Sequence, residues 1–312
     1  MDKERKKVLR RRLGFYAIRI FTSLSAVLPL KADYFIGRIF GNITYWFILR
    51  HRRIALESLS IAFPDLSSKK RKNIARKFFI FMAQGSLELL HILKNLDKLQ
   101  DIDIEGIDNL KNSLAKKRGA IILTAHIGNF PLMCLKLVKS GFPTNIVIRP
   151  MRDKLAGDYL HSLRAEAGVK TIFSYPRREC VSNIIRALRD NEVVIMLMDQ
   201  NFGTGGVWVN FFDKLAATPT GPVILALRTK AAIVPAYMFC KDNHKHHLKI
   251  LPEQELILKE DKDETVFANV VRFTRMIEGW IRGVDYQWSW IHRRWKSRPS
   301  EKMKSSRFKV EK

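Results

Sequence analysis

His126 lies in the stretch Thr124-Ala125-His126-Ile127-Gly128-Asn129-Phe130-Pro131, where a short apolar, β-rich run ends and a helical pattern starts. An imidazole at such a junction stands near the open edge of a sheet and can take a proton from an incoming hydroxyl, because histidine titrates near neutral pH. Alone, a histidine after a strand is more often a hydrogen-bonded structural residue, so its neighbours carry the weight. The next β-rich run ends in Arg149-Pro150, a helical stretch carries Arg164, and a further run empties into Asp199-Gln200-Asn201-Phe202-Gly203. Arginine holds phosphate through paired hydrogen bonds, and a carboxylate orients an imidazole or an arginine. Strand ends bring Asp199 and Arg149 to the histidine's edge; Arg164 lies within a helix.

That gathering requires a particular framework. Residues 119–125, 144–148, 169–173, 192–198 and 232–239 read as strands, with helical stretches at about 131–140, 153–167, 177–190 and 220–230 between them. Such alternation predicts an α/β sandwich around a mostly parallel sheet, whose functional residues gather in loops beyond the carboxyl ends of strands. Upstream, residues 50–94 are helical, broken at Phe63-Pro64-Asp65-Leu66-Ser67, with Ser67 or Ser68 as N-cap of the second helix.

At 312 residues and 46% apolar content, with no internal repeat or flexible tether, the chain fits one large domain plus an N-terminal appendage. Lysine and arginine number 56 against 30 acidic residues, a balance of +26 that favours an anionic membrane leaflet or nucleic acid. No nucleic-acid module is recognisable, so nucleic acid is not an expected partner. Cys134, Cys180 and Cys240 are far apart and set among apolar residues, as buried thiols of a reducing compartment would be. No metal site is expected: His244, His246 and His247, among Lys241, Lys245 and Lys249, read as an exposed hairpin tip. Gly203, Gly205 and Gly206 lack the Lys-Ser/Thr of a P-loop and read as a turn. Trp208, Phe211 and Phe212 suit either an apolar ligand channel or buried strand packing.

The N-terminus is strongly patterned. Lys3, Arg5, Lys6, Lys7, Arg10, Arg11 and Arg12 precede an apolar stretch from Leu13 to Leu30, interrupted by Arg19. This run sits at the lower limit for spanning a bilayer, and a central arginine is costly there, so an interfacial helix is expected rather than a full span. A signal peptide has the same layout but needs a cleavage site that the segment lacks. A second stretch, Tyr34 to Leu49, is closed by Arg50, His51, Arg52 and Arg53, which suits attachment to anionic lipid from the cytoplasmic side. The expected organisation is a basic, membrane-associated segment over 1–49, an α/β domain over 50–299 and a basic disordered tail over 300–312. Trp288, Trp290 and Trp295, beside the cations that begin at Arg293, suit a membrane interface or a dock for an acidic protein.

Six blocks then carry a family resemblance. The stretch from Arg52-Arg53-Ile54 through Phe63-Pro64-Asp65-Leu66-Ser67, the loop His126-Ile127-Gly128-Asn129 and the pair Arg149-Pro150 come first. Met198-Asp199-Gln200-Asn201-Phe202-Gly203 follows, then Phe211-Phe212 with Ala216-Ala217-Thr218 and Thr220-Gly221, and finally Trp290 to Pro299. In order and spacing they resemble the lysophospholipid acyltransferase superfamily, and within it the late (lauroyl and myristoyl) acyltransferases of lipid A biosynthesis. The resemblance implies a glycerol-phosphate-acyltransferase-like sandwich on the cytoplasmic face of a bacterial inner membrane. It implies transfer of a fatty acyl chain from an acyl carrier protein or coenzyme A thioester to a hydroxyl of a membrane glycolipid or phospholipid, with no cofactor. Catalytic roles are expected for His126, Asp199 and Arg164, and substrate-binding roles for Arg149, Asn129 and Gln200.

The sequence departs from the family pattern at Pro131, where an acidic helper of the histidine would stand, and at Asn201, where the "DQD" segment has its second acid. Proline suits a first helical turn, since its missing N–H needs no partner. Three readings follow for the imidazole: Asp199 replaces the missing acid, Asn129 fixes the tautomer without charge, or the protein has lost transfer and kept lipid binding.

Overall fold

The computed structural model of the chain describes residues 3–203, 205–241, 244–299 and 310–311. Four helices lead: α1 (Lys3–Val27), α2 (Leu30–Phe47), α3 (Leu49–Ala62) and α4 (Ser68–Lys94). The α/β part follows as β1 (Asp103–Glu105), α5 (Ile107–Ala115), β2 (Ala120–Thr124), α6 (Phe130–Lys139), β3 (Thr144–Ile148), α7 (Lys154–Glu166), β4 (Lys170–Phe173), α8 (Arg177–Arg189) and β5 (Val193–Leu197). A hairpin of β6 (Val207–Phe211) and β7 (Lys214–Thr218), then α9 (Gly221–Thr229), β8 (Ala232–Cys240), β9 (His246–Ile250) and α10 (Lys262–Gly283), complete it. The five strands and four intervening helices expected from the sequence are present, with ends shifted by a residue or two. Ser67 caps α4 by accepting from the Lys70 N–H at 3.3 Å.

The sheet runs β1-β9-β8-β2-β5-β3-β4, and neighbours are parallel except β8 and β9. Its central strands are buried on both faces, so their sequences are continuously apolar. In β2, Ile121 and Leu123 face α3, α4, α8, α9 and α10, while Ala120 and Ile122 face α5, α6 and α7. The result is a sandwich with helices on both faces. The three cysteines are buried and free, as expected of packing thiols.

The leading helices are fastened to this body by small residues and by buried polar ties. Gly37 and Gly41 on α2 let the backbone of α4 approach closely: a Cβ at Gly41 would lie 2.4 Å from Ile80 Cα, and one at Gly37 would lie 2.7 Å from Gln84 Cα. Asp33, almost fully buried, accepts from Ser25 Oγ at 2.9 Å and pairs with His91 Nδ1 at 3.0 Å, joining α1, α2 and α4. One turn earlier on α4, buried Glu88 accepts from the Tyr34 hydroxyl and from Asn129 Nδ2 at 2.8 Å, and pairs with His246 Nε2 at 2.8 Å. Burial would raise the Glu88 carboxyl, but these partners, His246 foremost, hold it below the usual range.

Three sequence expectations are corrected. His246 is not part of an exposed tip but lies 6% exposed against Glu88, because the β8–β9 hairpin folds back onto α4; His244, which stays exposed, stacks on Tyr34. Trp288 and Trp290 are fully buried and Trp295 nearly so, packed with Phe211 and Phe212; these rings are core and offer no membrane surface. Trp208 is likewise buried, which favours strand packing over an apolar ligand channel. Of the tail expected to be disordered, residues 300–309 and 312 lie outside the described residues. Val310 and Glu311 instead extend the edge of β6, where the Glu311 carboxylate accepts from the Asn210 N–H at 2.7 Å and pairs with Arg275 at 2.8 Å.

Among the described residues no helix is long and apolar enough to cross a membrane. Leu9, Leu13, Tyr16, Ile20, Leu24 and Val27 form a stripe at helical spacing on α1, each 47% to 80% exposed. Phe35, Ile39, Ile43, Trp46 and Phe47 do the same on α2 at 45% to 80%.

The α2–α4 contact makes a direct prediction. Gly41→Ala inserts a methyl group where Ile80 leaves no room, so urea unfolding should show a loss of about 1–3 kcal/mol. Glu88→Ala strands His246 and Asn129 without their acceptor, and the same measurement should show a larger loss, roughly 3–5 kcal/mol.

Candidate active site

Strand register sets the first distance. Thr124, the last residue of β2, pairs with Leu197, the last of β5, and His126 and Asp199 each follow two residues later. The Met198 N–H donates to the Thr124 carbonyl at 3.0 Å, so the two exits stay paired past the sheet. His126 and Asp199 therefore leave adjacent strands at the same level. The imidazole Nδ1 lies 2.8 Å from Asp199 Oδ1, and the His126 backbone N–H donates to Oδ2 at 3.0 Å.

The loop after His126 is held from two sides. Gly128 has φ +61°, and a Cβ there would lie 2.2 Å from the Met238 carbonyl oxygen, so only glycine allows the loop to press against β8. Behind it the Gly128 N–H donates to the Gln287 carbonyl at 3.0 Å, and the Ser289 N–H donates to the His126 carbonyl at 3.2 Å. On the other side Asn129, the residue before α6, spends its amide on the Gly85 carbonyl at 2.9 Å and on Glu88 at 2.8 Å. It is 6% exposed and faces α4, so its amide fixes the loop and does not touch the imidazole or an open surface. Pro131 lies in the first turn of α6, the placement its chemistry favours.

The Asp199 side chain has no solvent exposure. Besides the two His126 donors it accepts from Trp288 Nε1 at 2.7 Å. Burial by itself would raise its carboxyl; the neighbouring His126, its two hydrogen bonds and the Trp288 N–H outweigh this and hold it far below the usual carboxylate range. A carboxylate can only accept, so the proton of a neutral His126 resides on Nδ1 and Nε2 carries the lone pair. That ring, whose side chain is 20% exposed, meets Phe130 edge-on at 5.0 Å.

Gln200 follows Asp199, and its amide nitrogen lies 2.8 Å from His126 Nε2 and 2.9 Å from His292 Nε2. Burial, with His126 nearby, pushes His292 down to about 4, so at neutral pH it is uncharged and accepts. One amide group thus donates to two imidazoles. Arg294, fully buried, donates to the carbonyls of Gln200 and Ala217 and to the Thr218 hydroxyl, tying this loop to β7. Burial lowers its guanidinium to about 10, with Asp199 opposing the shift.

The other sequence-predicted residues are placed differently. Arg149 is exposed just beyond β3, on the same sheet edge, and its guanidinium has no partner among the described residues. Arg164 lies near the end of α7, half-buried, its Nε without a hydrogen-bond partner; burial lowers its guanidinium, opposed by nearby Cys134 on α6. No described contact joins either arginine to His126. Trp288, His292 and Arg294 were missed as site residues. His292 and Arg294 lie in the block Trp290 to Pro299, which was visible as part of the resemblance, and Trp288 lies just before it, but nothing local told that this segment folds back against the His126 loop and Asp199.

The chain is similar to several known proteins. The chain is 25% identical over 277 residues to the lipid A biosynthesis palmitoleoyltransferase of Escherichia coli K12, covering 87% of each chain. It is 26% identical over 280 residues to the lauroyltransferase of the same organism, covering 87% of this chain and 88% of that one. Over 148 residues it is 31% identical to the phosphatidylinositol mannoside acyltransferase of Mycobacterium tuberculosis H37Rv, covering 46% of each. Residues 1–297, nearly the whole chain, match one family throughout, so the chain belongs to the bacterial lipid A biosynthesis acyltransferases.

Proposed function

We propose that this protein transfers a fatty acyl chain from a thioester, carried by an acyl carrier protein or coenzyme A, to a hydroxyl of a membrane glycolipid or phospholipid. The observation that carries this reading is the 2.8 Å contact between His126 Nδ1 and the buried Asp199 carboxylate, which leaves the Nε2 lone pair turned toward Gln200. Relatives named as lipid A and phosphatidylinositol mannoside acyltransferases support a glycolipid acceptor.

The acceptor hydroxyl displaces the Gln200 amide from His126 Nε2, and that amide stays anchored on His292. As the hydroxyl oxygen attacks the thioester carbonyl, Nε2 takes its proton, and Asp199 stabilises the imidazolium without being protonated. The tetrahedral intermediate then collapses: the C–S bond breaks, the ester remains on the lipid, and Nε2 returns the proton to the departing thiolate. Asp199 takes over the part that an acid at position 131 would play. Arg149 and Arg164 hold phosphate of the donor or acceptor.

The exposed apolar stripes of α1 and α2 enter the lipid interface, with Arg50, His51, Arg52 and Arg53 at their margin against anionic headgroups of the inner membrane's cytoplasmic face. Arg52 packs over Tyr45 and Trp46 at 4.6 and 4.9 Å, a cation on an aromatic support.

The test is incubation of purified protein with acyl carrier protein or coenzyme A donors and total membrane lipid, followed by mass spectrometry for new acylated species. His126→Ala should stay folded and lose roughly 10²–10⁴-fold in turnover; undiminished product would remove the proposed base. Firm lipid binding without any product from the wild type would identify a non-catalytic lipid binder instead. Asp199→Asn should slow turnover by a comparable factor and destabilise the fold in a pH-dependent way. The Asp199 carboxyl titrates lower when folded than when unfolded, so its stabilisation is complete above the unfolded value, about 4, and fades as acid protonates it in the native state. Urea unfolding should therefore show wild type and variant furthest apart at neutral pH and converging in strong acid.

A further inference from the structure

We propose that a second site, in the cleft between α3 and the segment 293–298, binds a phosphate ester carried by one of the two substrates. This deepens the acyl-transfer reading and rests on it only for naming those two sources. The cleft has a volume of about 360 Å³, and Arg53, Arg293, Arg294, Lys296 and Arg298 line it against a single acid, Glu57. Glu57 answers Arg53 alone, across 3.2 Å, in a largely exposed pair. The side chains of Arg293 and Lys296 have no partner among the described residues, and fully buried Arg294 leaves its Nε without one. Cations gathered in a concavity with so little acid raise the local potential, and guanidinium groups match the oxygens of a phosphate.

The walls are fixed in place. Trp295 Nε1 donates to the Phe211 carbonyl at 3.1 Å, Asn201 Nδ2 donates to Ser297 Oγ at 3.0 Å, and Arg294 is clamped onto Gln200 and Ala217. These cations are thus held on a framework, whereas a solvated tail would scatter them. The cleft also lies where such a ligand is needed. Arg293 directly follows His292, whose ring stands 5.0 Å from that of His126. On the other wall, Arg53 sits on α3 just after the exposed apolar residues Trp46, Phe47, Ile48 and Leu49. The cleft therefore lies between the segment that follows His292 and the margin of the apolar surface, where the phosphate part of an acylated substrate would lie.

Equilibrium binding without turnover tests this separately from acyl transfer. The full chain, in neutral detergent, is titrated with coenzyme A against pantetheine as its phosphate-free counterpart, and with phosphatidic acid against diacylglycerol. The wild type should bind one phosphate probe more tightly than its counterpart, and R293A/K296A should lose roughly tenfold or more for that probe alone. Loss for coenzyme A assigns the site to the donor, and loss for phosphatidic acid assigns it to the lipid. The charge-matched variant K139A/R189A, altered where α6 and α8 end at the opposite edge of the sheet, should bind as the wild type does. Both altered pairs are exposed, and an unchanged thermal midpoint verifies the fold. No phosphate preference in the wild type, unchanged affinity in R293A/K296A, or equal loss in K139A/R189A overturns the proposal.

Discussion

A carboxylate taken out of water must be surrounded by donors or it will pick up a proton, and Asp199 is taken out completely. Its three donors come from two separated parts of the chain: the His126 ring, the His126 backbone and the Trp288 indole. Each donor has a second obligation to the fold. The His126 backbone belongs to a loop that must press against β8 through Gly128, and Trp288 belongs to a segment that must bridge to Ile127. Satisfying one buried charge therefore fixes the tautomer of the imidazole, the course of the loop and the return of the C-terminal segment together. None can move alone without leaving that charge short of a partner.

The loop's other flank obeys the same logic with a different acid. Glu88, also buried, collects Tyr34 from α2, Asn129 from the loop and His246 from β9. The proposed base thus lies between two desolvated carboxylates, one in contact with it and one reached through Asn129. The helix α2, whose apolar stripe is exposed, is tied through Tyr34 and Glu88 to the loop that presents the imidazole. A hydroxyl delivered from a bilayer would then meet a base whose position is set relative to that same surface.

In the proposed mechanism Asp199 supplies the carboxylate that Pro131 cannot. An acid at position 131 would approach the ring from the first turn of α6; here that turn holds a proline suited to starting a helix. The carboxylate comes instead from the end of β5, where register with β2 places it without help from the loop. Asn129 belongs to the scaffold, since both protons of its amide are used by α4.

The layered α/β architecture was legible in the chain order, because strands buried on both faces must be continuously apolar and their helices must alternate with them. The sequence also marked His126 and Asp199, since each stands just past a strand end, and it marked the apolar character of the two leading helices. Those features follow from local periodicity and chain order. Tertiary structure alone decided where Trp288, His292 and Arg294 go, because a tryptophan beside cations reads the same whether it lines a core or a membrane surface. Likewise only packing could bury His246 against Glu88, 158 residues away in the chain. Periodicity reports which face of an element is apolar; it carries no information about which distant donor will satisfy a buried charge.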